Sequence, residues 1–270
     1  MEFTWQEEAP AGSNFGEGSV LISAFPSAGL ATTVAAHYMI RALSLPRIGR
    51  FESPELSPIA VVQGGLVNPT IRVYGRPDLG LVLSEFPPSP SQANAIARAI
   101  LDAGLRHKAR MIVGLEGVVP HPPGYDEEEG EEGESAVPGE QSSEQVWVAY
   151  SRKEPGIVKA FAPSKARLLD DGVIGGVSGA LLVQGIGKTI PVAVLLVSAR
   201  AEEGLPDHRA GAALIETLDR LLPEVNIDTG PLRAQAEQIE KAIRAVMKSQ
   251  QGSQPASEPS RAPTTPGMYG

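Results

Sequence analysis

The sequence predicts an α/β domain: one central sheet with helices on both faces. Two observations carry this expectation. Several short runs are apolar throughout and rich in β-branched residues, the mark of strands covered on both sides. Between them lie segments whose apolar residues recur at helical spacing. The bulk numbers agree, since 42% of the 270 residues are hydrophobic and 20% are charged, as in ordinary globular chains. With the two polar segments below set aside, roughly two hundred residues remain to build a core.

In chain order, residues 1–18 read as an amino-terminal extension and 19–250 as the α/β domain. "SVLISAF" (Ser19 to Phe25) is a buried strand. It leads through "PSAGL" into a helix, "ATTVAAHYMIRAL". "PIAVVQ", "TIRVYG" and "LGLVLSEF" read as strands. "SPSQANAIARAILDAGL" is a helix with a Ser cap and with Ile96, Ile100 and Ala103 on one side. "RMIVGLEG" is another buried strand, and "EQVWVAY" a further one. The glycine-rich "GVIGGVSGALLVQGIG" precedes the strand "IPVAVLLVSA". Two helices close the domain. In the first, Pro206 is pre-set for an opening turn, and Ala210, Leu214, Leu218 and Leu221 share a side. In the second, Leu232, Ala236, Ile239, Ile243 and Val246 do the same.

Two segments stand apart. Gly124 to Gln145, "GYDEEEGEEGESAVPGEQSSEQ", is self-repelling and has little to bury, so it is expected to be a solvated acidic insertion. Residues 251–270 are rich in Ser, Pro and Thr, without periodicity, and are expected to form a disordered tail.

The net charge of −9 and the lack of clustered Lys and Arg argue against nucleic acid as a partner. The chain contains no cysteine, which excludes disulfides and thiolate chemistry. The longest apolar run, about ten residues, is too short to span a bilayer. The first residues, "MEFTWQEEAPAG", do not resemble a secretory signal. The chain is expected to be cytoplasmic.

Motifs for chemistry fall short. Gly187, Lys188 and Thr189 have the order of a phosphate-binding loop, but position 182 is Leu rather than the required Gly, and a strand follows. The expectation is a tight turn. Gly175, Gly176 and Gly179 admit two readings, close helix packing or backbone approach to a ligand. Ser178 misses the nucleophile-elbow spacing by one residue. His37, His107, His121 and His208 form no metal-type pair, and the acidic insertion lacks the order of a calcium loop. No cofactor or metal site is therefore expected, nor any catalytic residue. The alternative kept open is a small-molecule enzyme with a phosphorylase-like or ligase-like pocket near Gly175–Gly179.

Taken together, "VLISAFPSAGLATTVAAHYMI", "IGGVSGALL", "PDHRAGAALIETLDRLLPEVNIDTGPL" and "AEQIEKAI" resemble the archaeal homologues of proteasome assembly chaperones, the proteasome assembly chaperone 2-like family. The resemblance spans about Val20 to Val246. It departs from the family at Ser27 and Ala31, where relatives often have glycine, which argues against anion binding at the first turn. The resemblance implies a fold similar to that of purine nucleoside phosphorylases without their catalytic apparatus. It also implies a function: an ATP-independent assembly chaperone, activator, or both, acting as a homo-oligomer on the proteasome core particle. One class of relatives ends in a hydrophobic residue, a tyrosine and a final residue that dock between neighbouring α subunits. Met268, Tyr269 and Gly270 match that ending. By that likeness the free carboxylate pairs with a lysine at the pocket base, while the Tyr269 ring and Met268 supply apolar contact. A tether of about eighteen residues reaches about 25 Å, and a symmetric oligomer would add two to four orders of magnitude through avidity.

Overall fold

Nine strands hydrogen-bond into one twisted sheet, and the sequence dictates which of them lie at its centre. The structure, a computed structural model, describes residues 2–8, 14–119, 144–200, 205–222 and 225–251. The runs that are apolar throughout form the middle: β2 (Val20–Ala24), β7 (Leu79–Ser84), β8 (Met111–Val118) and β11 (Val192–Ser198). They run parallel in the order β7-β2-β8-β11. Strands with alternating or charged patterns lie outside. β1 (Thr4–Glu7), β3 (Arg47–Glu52) and β6 (Ile71–Arg76) extend one side with antiparallel pairing. β9 (Val146–Tyr150) and β10 (Arg167–Leu168) extend the other. A separate hairpin, β4 (Val61–Gln63) with β5 (Leu66–Asn68), belongs to neither side.

The helices divide between the two faces. α1 (Ala31–Ala42), α5 (His208–Leu221) and α6 (Gly230–Gln251) form one layer, with α1 against α5 and α5 against α6. α2 (Pro90–Arg106) and α4 (Gly176–Gly185) pack together on the opposite face. A short α3 (Pro155–Phe161) lies between β9 and β10. Strand alternation feeds both layers. Val20, Ile22 and Ala24 face α1 and α5 with Leu81, Val113 and Leu195, while Leu21, Val82, Ile112 and Val192 face α2 and α4.

The helix signals act where the sequence places them, with one shift. Ser89 accepts from the Gln92 backbone amide while the Gln92 side chain accepts from the Ser89 amide, a capping box just ahead of Pro90. Pro206 lies outside α5 rather than in its first turn, because Asp207 is the cap and accepts from the Ala210 amide. Asp207 also accepts from the Arg200 amide, so one carboxylate joins the exit of β11 to the start of α5. Ile243 and Val246 lie outside the described side chains.

The amino-terminal segment contributes more than an extension. β1 pairs with β3, and Glu8 bridges Arg47 at 2.7 Å and Arg50 beside it. Trp5 packs edge-on against Phe51 and Phe15. The charges in "RIGRFE" hide β3 from a hydrophobicity reading: Arg47 and Arg50 pair with Glu8 at the sheet's edge while Ile48 and Phe51 are buried.

Candidate functional site

Open α/β sheets hold ligands outside the carboxyl ends of parallel strands, where connections leave neighbouring strands in opposite directions. Here that point lies between β2 and β8, since the chain leaves β2 toward β3 and leaves β8 toward β9. The protein's own backbone occupies it. A Cβ placed on Gly117 would sit 2.4 Å from the Ala28 carbonyl oxygen and 2.9 Å from Ser27 Oγ. One placed on Gly29, whose φ is 59°, would sit 2.6 Å from the Arg200 carbonyl oxygen. The hydroxyls of the first turn are used internally: Thr32 donates to the Phe25 carbonyl and shares a hydrogen bond with Ser27. The segment "PSAGL" therefore closes this end of the sheet.

The glycine-rich segment divides between packing and open space. Gly179 fits only because it lacks a side chain, as a Cβ there would lie 2.1 Å from the Ile174 carbonyl oxygen. Gly185 lets α4 close on Val192, 2.8 Å from where its Cβ would be. A Cβ on Gly175 or Gly176 would meet nothing, so these two are not held by packing. Ser178 is buried in the first turn of α4, where its hydroxyl donates to the Leu115 carbonyl at 3.3 Å. Beside it stands Glu116, near the end of β8, which sequence reasoning passed over. Burial pushes the Glu116 carboxyl up to about 7, and its hydrogen bond with Ser178 offsets only part of that. The signal was a single Glu in the apolar run "RMIVGLEG". Gly187, Lys188 and Thr189 follow the carboxyl end of α4, where the Lys188 amide donates to the Gly185 carbonyl at 3.1 Å. A phosphate loop opens a helix; this segment ends one.

The opposite face carries ionic pairs. Arg72 on β6 is fully buried and pairs with Glu85, just past β7. His37 on α1 reaches the same Glu85 oxygen at 3.1 Å. Burial pushes Glu85 up, but the His37 hydrogen bond and the Arg72 charge outweigh it and hold the carboxyl below its ordinary range. A second group sits at the start of α6. Arg233 binds both oxygens of Glu216 on α5, at 2.7 and 2.8 Å, and Glu144 at 2.9 Å. Thr229 donates to Glu216 at 2.7 Å. The Arg233 hydrogen bond holds Glu216 low, and Glu216 and then Glu144 raise Arg233. Glu144 lies near the end of the acidic stretch of sequence, and this group ties it to α5 and α6. Tyr38 adds a hydrogen bond to the Asp228 carbonyl at 2.8 Å.

Met268, Tyr269 and Gly270 lie outside the described residues, as do residues 124–143 of the acidic insertion and His121. The other histidines serve structure. His107 stacks on Phe15 with centroids 4.6 Å apart, and His208 contacts the Pro206 carbonyl at 3.0 Å. Among the described residues no three His, Cys, Asp or Glu side chains group to hold a metal ion. Among them, too, no helix is long and apolar enough to cross a membrane.

Comparison with known proteins places this architecture. An uncharacterised protein of Methanocaldococcus jannaschii is 25% identical over 228 residues, covering 84% of this chain and 85% of its own. Pyrococcus furiosus PbaA, an archaeal homologue of proteasome-assembly chaperone, matches with a TM-score of 0.75 at 22% identity, over 94% of both chains. Pyrococcus furiosus PbaB, an archaeal proteasome activator, matches with a TM-score of 0.71 at 20% identity, covering 91% of this chain and 99% of its own. The sequence pattern of the PAC2 family matches residues 21–247, almost the whole α/β body, and the chain belongs to that family.

Proposed function

We propose that this protein binds the proteasome core particle as an ATP-independent assembly chaperone, activator, or both. It works in the cytoplasm as a homo-oligomer, and its carboxyl-terminal Met268, Tyr269 and Gly270 dock into pockets between α subunits. The observation that carries the reading is one coincidence: a PAC2 body, shared in fold with PbaA and PbaB, in a chain that ends Met-Tyr-Gly. The filled crevice between β2 and β8 favours binding over catalysis, because backbone stands where an α/β enzyme keeps its substrate. We read residues 19–250 as the body, 124–145 as its acidic insertion and 251–270 as the tether.

The test is capture of α subunits and of mature core particle by wild type and by Tyr269→Ala, with peptide hydrolysis as a second readout. Wild type is expected to capture and stimulate, and Tyr269→Ala to do neither while melting at the same temperature. Undiminished capture by Tyr269→Ala would reject tail docking. A second reading, an enzyme with its pocket near Gly175–Gly179, draws on the protonatable Glu116 beside Ser178. It predicts turnover of a small substrate that removal of the last three residues leaves intact.

A further inference from the structure

The chain between β3 and β4 walls an open cleft of about 900 Å³. Its apolar surface comes from Leu56, Pro58, Ile59 and Pro69, and Ile59 is 40% exposed. Three carboxylates, Glu2, Glu52 and Glu55, line the same cleft, and none of the described residues lining it is Lys, Arg or His. Glu52 offers Oε1 to Arg50, yet its side chain remains 48% exposed. The wall is held in shape from within. The Leu56 amide donates to the Ser53 carbonyl at 3.1 Å, and the Ile59 amide to that of Ser57 at 2.7 Å. Gln92, in the capping box of α2, donates through Nε2 to the Glu55 carbonyl at 2.7 Å. Thr70 donates to the Ile59 carbonyl at 3.2 Å. Prolines in the wall fix their own φ, and a surface so preorganised loses little freedom on binding.

Shape and charge together select the occupant. Sites for small ligands enclose most of the molecule they bind, and an open cleft cannot. An extended peptide needs only one flank buried and leaves the other in water. Carboxylates beside apolar walls suit Lys and Arg, whose stems lie along apolar surface while their charged heads stay in polar surroundings. Each exposed ion pair adds little energy, but together they reject an acidic segment and admit a basic one. The same carboxylates repel a second copy of this chain, whose net charge is −9, from this cleft.

We propose that this cleft binds an extended segment of another protein in which Lys or Arg is interspersed with apolar residues. The cationic groups meet Glu2, Glu52 and Glu55, and the apolar side chains rest on Leu56 and Ile59. The contact is independent of the carboxyl-terminal Met268, Tyr269 and Gly270, so it adds a second recognition surface to the function proposed above.

The experiment follows the fluorescence anisotropy of a labelled peptide of Arg and Val on titration with the full chain, at about 0.15 M salt to screen long-range attraction. Counterpart peptides carry Glu in place of Arg, or Ser in place of Val. The Arg and Val peptide is expected to bind saturably, and each counterpart about tenfold more weakly. Glu2→Gln/Glu55→Gln should weaken binding about tenfold, and Ile59→Ser about fivefold. Asp170→Asn/Asp171→Asn makes an equal change of charge at exposed sites past β10, on the far edge of the sheet, and should shift binding by less than about twofold. All these side chains face water, so every variant is expected to melt with wild type. Absence of saturable binding overturns the proposal. Equal losses in the two charge variants, which would leave bulk charge as the cause, also overturn it, as does unchanged binding by Ile59→Ser. Displacement of the peptide by an equal concentration of spermidine would make the cleft a site for a small polycation and reject the peptide assignment.

Discussion

The two faces of the sheet are held by different means. The α1, α5 and α6 face is fastened by carboxylates kept ionised: Glu85 between Arg72 and His37, and Glu216 in the fork of Arg233. The α2 and α4 face is closed by small residues, with Gly104, Gly179 and Gly185 allowing near contact. Glu116, an inward carboxyl on that face, has no salt-bridge partner among the described residues and is pushed toward its neutral form. A buried carboxylate stays charged only where a cation or several donors replace its water. The ionic face also carries α6. One face is thus fixed by directional pairs, and the other by shape.

The comparison can be broken most severely at Glu85. Glu85→Ala strands the fully buried Arg72 without its partner, and is expected to cost about 3 kcal/mol in urea unfolding. Arg72→Met combined with Glu85→Leu should cost less than Glu85→Ala alone. A loss under about 1 kcal/mol for the single variant would mean the pair does not fasten this face.

On the other face the sensitive site is Gly179. Gly179→Ala drives a Cβ against the Ile174 carbonyl and is expected to cost about 1–3 kcal/mol by overpacking. Gly175→Ala, four positions earlier and facing open space, should be close to neutral in the same measurement. Equal losses at the two positions would refute the packing assignment.

The smallest effect is in the pH response, where the faces should differ in sign. Glu116 binds its proton more tightly in the folded state, so its contribution is complete below about 4.5 and is lost as pH rises through about 7. Glu85 and Glu216 are held low, so their contribution is present above about 4.5 and is lost on acidification below it. Across pH 4.5–7 the melting temperature of wild type relative to Glu116→Gln should fall as pH rises. That of wild type relative to Glu216→Gln should stay flat there and drop only below about 4.5. Parallel curves for the two variants would erase the distinction.

Much of this was legible in the sequence, element by element. The serine opening "SPSQANAIARAILDAGL" announced the start of α2, and Ile96, Ile100 and Ala103 its buried side, whereas the answering Gln92 side chain showed only in the structure. The packing alternative for Gly179 was open from its spacing and was decided by Ile174. Other features were hidden. α3 is seven residues long, and β10 two, too short to show a period. "PIAVVQ" reads as a strand and only Val61–Gln63 form one, and nothing in its pattern shows that it stands outside the main sheet.

What the sequence determined by itself is the alternation of apolar strands and amphipathic helices and the Ser89 cap. These rest on spacing along the chain, which the backbone's fixed periods convert directly into buried faces. Only the tertiary structure decided that Arg72 and His37 meet at Glu85, that Glu116 is buried beside Ser178, and that backbone fills the crevice between β2 and β8. A charge acquires its partner, and a glycine its constraint, from segments far away in the chain. That information resides in the packing.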